Sequence, residues 1–221
     1  KIDLQNKKLI IPSKTTNLSN EPIAVSGTVT ISRLQPPDHV QKNRLWQAPD
    51  RSYLLRDEFF KVFPNDIYGT EDQLTKWKVL EQVYTGSFDT PENDSLQVQN
   101  FNKWKPGVYV LEAKASYKQQ EVKTTRYFTV YNSTGTELPY PLADWFVPIK
   151  VYCEPGETAK VLIGSGYDDV SVLYELEKDH VIIDTMRFTL NRSQRLFSLP
   201  VKESDSGGFY LHFTFLKDGR L

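Results

Sequence analysis

Trp104-Lys105-Pro106-Gly107-Val108-Tyr109-Val110-Leu111-Glu112-Ala113-Lys114-Ala115-Ser116-Tyr117 is the stretch that decides the fold class. Lys105-Pro106-Gly107 reads as a turn, and the residues after it keep a period of two. Tyr109, Leu111, Ala113, Ala115 and Tyr117 share one face. Glu112, Lys114 and Ser116 take the other, beyond Val108 and Val110. A second run, Arg126-Tyr127-Phe128-Thr129-Val130-Tyr131, is β-branched and aromatic throughout. The polar Lys118-Gln119-Gln120-Glu121 between the two suits a hairpin loop.

Working outward, Gly27-Thr28-Val29-Thr30-Ile31-Ser32 alternates in the same way, with Val29 and Ile31 on one face. Between Leu34 and Trp104 the pattern changes. Gln35-Pro36-Pro37 cannot continue a central strand, because proline offers no ladder donor. Leu55, Phe59, Val62 and Phe63 recur at helical spacing before Pro64, which predicts one short helix over 57–63. The rest of 35–104 reads as a long aromatic-rich insertion folded back over the sheet. Asn132-Ser133-Thr134-Gly135-Thr136-Glu137, followed by Pro139 and Pro141, is the linker candidate. Beyond it, strand signals recur at 145–152, 157–164, 170–176, 181–188, 195–201 and 209–216, each bounded by Gly, Pro, Asn or Asp.

The expected architecture is all-β: two antiparallel β-sandwich domains in tandem. The first is expected over 1–133 with its insertion at about 35–104, the second over 141–221. Asp218-Gly219-Arg220-Leu221 reads as a hairpin turn whose return strand is missing, so the second sandwich is expected to be truncated. Lys1 as first residue and Met186 as the only methionine make the sequence an expected internal piece of a longer protein.

Composition narrows the function classes. The 221 residues carry 27 Lys plus Arg against 28 Asp plus Glu, a formal charge of -1, which leaves no electrostatic footprint for nucleic acid or an anionic membrane. No stretch approaches the roughly 20 apolar residues of a membrane helix. Cys153 is the single cysteine, which excludes an internal disulfide or a multi-cysteine zinc site, and His39, His180 and His212 lack ligand spacing. No cofactor motif is present, and the chain is not expected to be an enzyme.

Candidate chemistry is sparse. Gly164-Ser165-Gly166 is half of a nucleophile elbow, but Ile163 stands where the motif continues and a β-turn explains the glycines better. Asp57-Glu58, Glu71-Asp72, Asp168-Asp169 and Glu203 with Asp205 read as solvated turns rather than glycosidase pairs, since strand neighbours face opposite ways. Cys153 has no histidine near it in sequence, and His212 is expected opposite Phe209, Leu211, Phe213 and Phe215. Asn17, Asn93, Asn132 and Asn191 open glycosylation triplets. Trp46, Tyr53, Tyr68 and Trp77 form the one candidate contact surface, either a platform for stacking sugars or anchors for the insertion. Anchoring is the expected role.

Several segments, read together, resemble the macroglobulin-type β-sandwich modules of the bacterial alpha-2-macroglobulin family. They are Val25 through Leu34, Arg44-Leu45-Trp46-Gln47-Ala48-Pro49-Asp50, Glu58 through Tyr68 and Trp104 through Tyr109. In the second domain they are Trp145-Phe146-Val147-Pro148, Glu154-Pro155-Gly156 with the seven residues after it, Val172 through Glu177, and Phe209 through Phe215. The resemblance implies a multi-module endopeptidase inhibitor, in which a protease cuts a bait segment, the molecule rearranges, and a Cys-x-Glu-Gln thioester captures the attacker. Here the only cysteine lies in Cys153-Glu154-Pro155-Gly156, so no thioester is expected, and any bait is expected beyond Leu221.

The chain is therefore expected to supply non-catalytic scaffold modules. Its implied partners are target proteases, met through the full-length protein, and neighbouring modules of the same chain. The implied location is extracytoplasmic, in the periplasm or cell envelope, with a lipid anchor on the parent as one option. The alternative expectation is a glycan- or protein-binding β-sandwich of a cell-envelope protein.

Overall fold

The computed structural model describes residues 1–42, 47, 50–90 and 95–217. It is mostly β, with 52% of residues in strands and 8% in helical turns, so the all-β class holds. The chain divides into two compact units, one formed by Lys1–Pro37 with Thr70–Asn132, the other by Asp38–Gly69 with Ser133–Leu221. The break after Asn132 falls at the polar run 132–137.

In the first unit, β1 (Ile2–Asp3), β3 (Val25–Leu34), β4 (Val79–Thr90), β6 (Gly107–Tyr117) and β7 (Gln120–Tyr131) form one sheet, and β2 (Leu9–Pro12) pairs with β5 (Ser95–Val98). The five-stranded order is β1-β7-β6-β3-β4, antiparallel except where β1 meets the end of β7 in parallel. The β6–β7 hairpin closes through Lys118 and Gln119, with φ of 48° and 66°. Two successive left-handed residues match the strands' own twist, which is why so tight a turn joins them. Its loop is thus shorter than the expected 118–121, since Gln120 and Glu121 already pair with Tyr117 and Ser116.

The alternation read from the sequence places Tyr109 and Leu111 in the core of this unit with Val29, Ile31, Phe88, Val98, Phe101 and Val130. Gly27 is needed there, because a Cβ at this position would lie 2.8 Å from Cε1 of Phe88. Two strands within 70–104 differ from the expected insertion. β4 pairs with β3 along its length, and β5 covers the core from the other side through Val98. Their alternation is hidden in the sequence by the doublets Val79-Leu80 and Val83-Tyr84, where the register with β3 shifts twice.

The second unit contains α1 (Arg56–Val62), β8 (Trp145–Lys150), β9 (Thr158–Ser165), β10 (Val170–Lys178), β11 (Val181–Leu190), β12 (Ser193–Pro200) and β13 (Tyr210–Leu216). Two three-stranded antiparallel sheets, β11-β10-β13 and β12-β9-β8, give it a sandwich-like form. Their core holds Val161, Ile163, Val172, Tyr174 and Phe197, with Leu211, Phe213 and Phe215 of β13 packed against it. All six strands expected here are present, each within two residues of its predicted limits. The hairpin turn expected at 218–221 lies outside the described residues.

Residues 38–69 group with this unit and not with the sheet they interrupt, which corrects the expected fold-back. A parallel bridge from Gln41 to Leu142 ties the segment there, and within it the Lys42 N–H donates to the Asn65 carbonyl at 2.8 Å. The helix starts one residue before its predicted span and ends one residue short of it, at Val62, with Phe63 as the C-cap ahead of Pro64. The Leu55 N–H donates to the Glu58 carboxylate at 3.2 Å, which satisfies one of the helix's orphan donors. Phe59 is the centre of an aromatic cluster, with Phe60, Phe63 and Tyr68 at ring separations of 5.6, 5.2 and 5.2 Å.

Candidate functional site

The four aromatic residues singled out in the sequence take different environments. Trp46 lies outside the described residues. Tyr53 is 95% exposed on the stretch before α1. Tyr68 is half-buried against Phe59 and donates its hydroxyl to the Leu54 carbonyl at 3.0 Å, so it ties the ends of that stretch together. Trp77 belongs to the other unit, half-buried, with its indole N–H donated to the Glu71 carbonyl at 2.7 Å. Tyr68 and Trp77 are thus each bonded to a nearby backbone carbonyl, while Tyr53 presents its ring to solvent.

Two clefts open in the second unit. One, of about 650 Å³, is lined by Asp38, His39, Asn65, Tyr140, Tyr167 and Arg192 among others. The other, of about 800 Å³, is more apolar, with Val62, Phe63, Pro64, Val170 and Phe215 in its walls and Tyr167 again at its side. His39 Nδ1 sits 2.9 Å from Asp38 Oδ1, and its ring packs edge-on against Phe60 at 5.3 Å. That hydrogen bond is the main reason the Asp38 carboxyl is held below its ordinary pKa. Burial, and then the Asp66 charge, pushes the Tyr167 phenol up; burial and Asp144 do the same for Tyr140. Arg192 reaches Asp168 through Nε and through its terminal nitrogen, at 2.8 and 2.7 Å, so that guanidinium is already engaged.

Nucleophilic chemistry would need a hydroxyl or thiol handing its proton to a base. Ser165, the residue from the Gly164-Ser165-Gly166 run, closes β9 and lines the larger cleft. Its hydroxyl donates to the Ala143 carbonyl at 2.7 Å and accepts the Tyr167 N–H at 3.3 Å. The group therefore pins two backbone segments and has no base beside it in these bonds. Cys153 is half-buried, its thiol 3.9 Å from the Lys150 carbonyl. His212 lies on the face opposite the core residues of β13, as read from the sequence, and Nε2 meets Glu177 at 2.8 Å.

Of the acidic pairs, Asp57-Glu58 lie in the first turn of α1, and the turn at Glu203–Asp205 is likewise engaged. Asp205 accepts the Lys202 N–H at 2.9 Å and pairs with Lys178 at 3.2 Å, and these contacts hold its carboxyl below the ordinary range. Asn17 and Asn191 use their side-chain carbonyls on the Ser19, Glu21 and Asp169 N–H groups, so both triplets sit in hydrogen-bonded turns; Asn93 lies outside the described residues. Among the described residues no cluster of three or more His, Cys, Asp or Glu is arranged to hold a metal ion. Among them, too, no helix is long and apolar enough to cross a membrane.

The clefts escaped the sequence reading because each is assembled from distant segments around 38–42, 62–66, 137–144, 165–170, 192 and 217. The only local signal was Asp38-His39 directly after Pro36-Pro37. No protein-family model and no curated protein matches this chain. Its functional reading therefore stands on its residues and their arrangement.

Proposed function

We propose that the chain supplies non-catalytic scaffold modules of a bacterial protease trap of the alpha-2-macroglobulin type, an endopeptidase inhibitor when the whole protein is assembled. The observation that supports this reading is the pair of compact β units, each with its own core. Polar groups in them are spent on architecture: Ser165 on two backbone segments, Asp205 on a turn, Tyr109 on the Lys105 carbonyl. In this reading both units are macroglobulin-like sandwiches, the partners are target proteases and adjoining modules, and the setting is extracytoplasmic.

The test is a titration of trypsin and chymotrypsin with the purified chain, read as residual hydrolysis of a protein substrate. The scaffold reading expects no loss of rate beyond that given by an equal amount of an unrelated cleavable protein, and dose-dependent inhibition beyond it by the chain alone would overturn it. A second reading, a glycan- or protein-binding module, draws on Tyr53, whose ring is 95% exposed. Quenching or enhancement of the tyrosine and tryptophan emission by added polysaccharide, lost in Tyr53→Ala, would favour that module.

A further inference from the structure

Residues 50–58 are exposed at every position, and 50–55 precede α1 without strand or helix. Within them Arg51-Ser52-Tyr53-Leu54-Leu55-Arg56 offers basic, aromatic and aliphatic side chains in succession, with no proline from 50 to 56 to block a scissile bond. Tyr53 is 95% and Leu55 72% exposed. An endopeptidase binds its substrate as an added strand, so it draws in a segment that belongs to no strand or helix and whose side chains reach its pockets.

We propose that 51–55 is where endopeptidases first cut this chain, at Tyr53–Leu54 for an enzyme that takes aromatic side chains and at Arg51–Ser52 for one that takes basic ones. Water adds across the peptide C–N bond, leaving a carboxylate on Tyr53 or Arg51 and an ammonium on the residue that follows. The inference extends the scaffold reading, on which it rests only for the class of partner, by naming the segment that partner meets.

The nearest rival is Tyr152, 92% exposed in the stretch between β8 and β9. That stretch is clasped: the Glu154 N–H donates to the Glu157 carboxylate at 2.9 Å, the Gly156 N–H to the Val201 carbonyl at 2.8 Å, and the Val201 N–H to the Glu157 carbonyl at 2.8 Å. It also carries Pro155 close behind the bond. Among the described residues the segment at 51–55 is held at its far end, by the Leu55 N–H on Glu58, by the Phe59 N–H on the Leu55 carbonyl at 2.8 Å and by the Tyr68 hydroxyl on Leu54.

Both sides of the cut keep their places. On one side Gln41 bridges Leu142 and Lys42 meets Asn65; on the other Phe59, Phe60, Phe63 and Tyr68 hold together. The nick thus opens a closed excursion of chain that runs from Pro37 to Thr70, and removes its loop-closure restraint without releasing a piece.

The experiment is limited proteolysis of the whole chain at low enzyme ratios, followed by intact-mass measurement and size exclusion. Chymotrypsin should give 1–53 and 54–221 first, and trypsin 1–51 and 52–221, with each pair co-eluting as one species. Tyr53→Gly should slow the first chymotryptic cut by at least about tenfold, because the pocket-filling ring is gone. A first cut at Tyr152 or at any bond outside 50–56, or an unchanged rate in Tyr53→Gly, would overturn the inference and leave the scaffold reading standing. Inhibition of either protease by the uncut chain would overturn the scaffold reading and leave the cleavage map intact.

Discussion

Replacing Tyr109 probes the first core at its most constrained point. The side chain is 0% exposed, and its ring stacks between Trp104 and Phe128 at centroid distances of 5.0 and 5.7 Å. Its hydroxyl donates to the Lys105 carbonyl at 2.7 Å, bolting the turn before β6 to the strand itself. Tyr109→Phe keeps the stack and leaves that carbonyl without its donor, a loss of about 1–2 kcal/mol. Tyr109→Ala removes the ring as well and leaves a cavity, for about 3–5 kcal/mol in all. Urea unfolding followed by circular dichroism gives both values, and Trp104 emission reports the stack directly, shifting to the red only in the alanine variant. Equal effects of the two substitutions would refute the division between ring and hydroxyl. An alanine variant within about 1 kcal/mol of the parent would refute the placement of Tyr109 in the core.

Two further outcomes follow from buried hydroxyls. Burial pushes the Tyr109 and Tyr131 phenols up to about 12, above a phenol's ordinary value of about 10, so the unfolded chain loses these protons first. Their contribution is intact below pH ~10 and is lost as pH rises towards ~12. Alkaline unfolding monitored by tyrosinate absorbance should therefore begin above pH ~10, and Tyr131→Phe should move the midpoint upward, whereas an unshifted midpoint would contradict the burial of that phenol. In the second unit, Ser165→Ala leaves the Ala143 carbonyl and the Tyr167 N–H without their shared partner, and should cost about 1–3 kcal/mol in urea unfolding. A neutral result would mean the hydroxyl is not structural.

Much of this architecture was legible because burial on one side of a strand imposes a period of two. The β6–β7 hairpin and all six strands of the second unit follow that pattern, and Leu211, Phe213 and Phe215 face the core while His212 turns away, as their spacing required. The helix was legible from Leu55, Phe59 and Pro64 for the same kind of reason at a different period. What stayed hidden depended on partners far away in sequence. β1 and β2 are two and four residues long, too short for any pattern to repeat. β4 loses its alternation where it bulges against β3.

The destination of 38–69 was invisible because it is set by a bridge between Gln41 and Leu142, a hundred residues apart, and not by the composition of either segment. The clefts share that origin. Tyr68 and Trp77 are residue types that serve equally as sugar platform or anchor, and their hydrogen bonds to the Leu54 and Glu71 carbonyls are not readable from composition.

The central claim is that this chain is scaffold within an endopeptidase inhibitor. Its most direct test is the residual activity of an endopeptidase on a protein substrate after incubation with the whole product of the reading frame that encodes the chain. The account predicts dose-dependent loss of that activity with the whole product. Full activity at every ratio would contradict it.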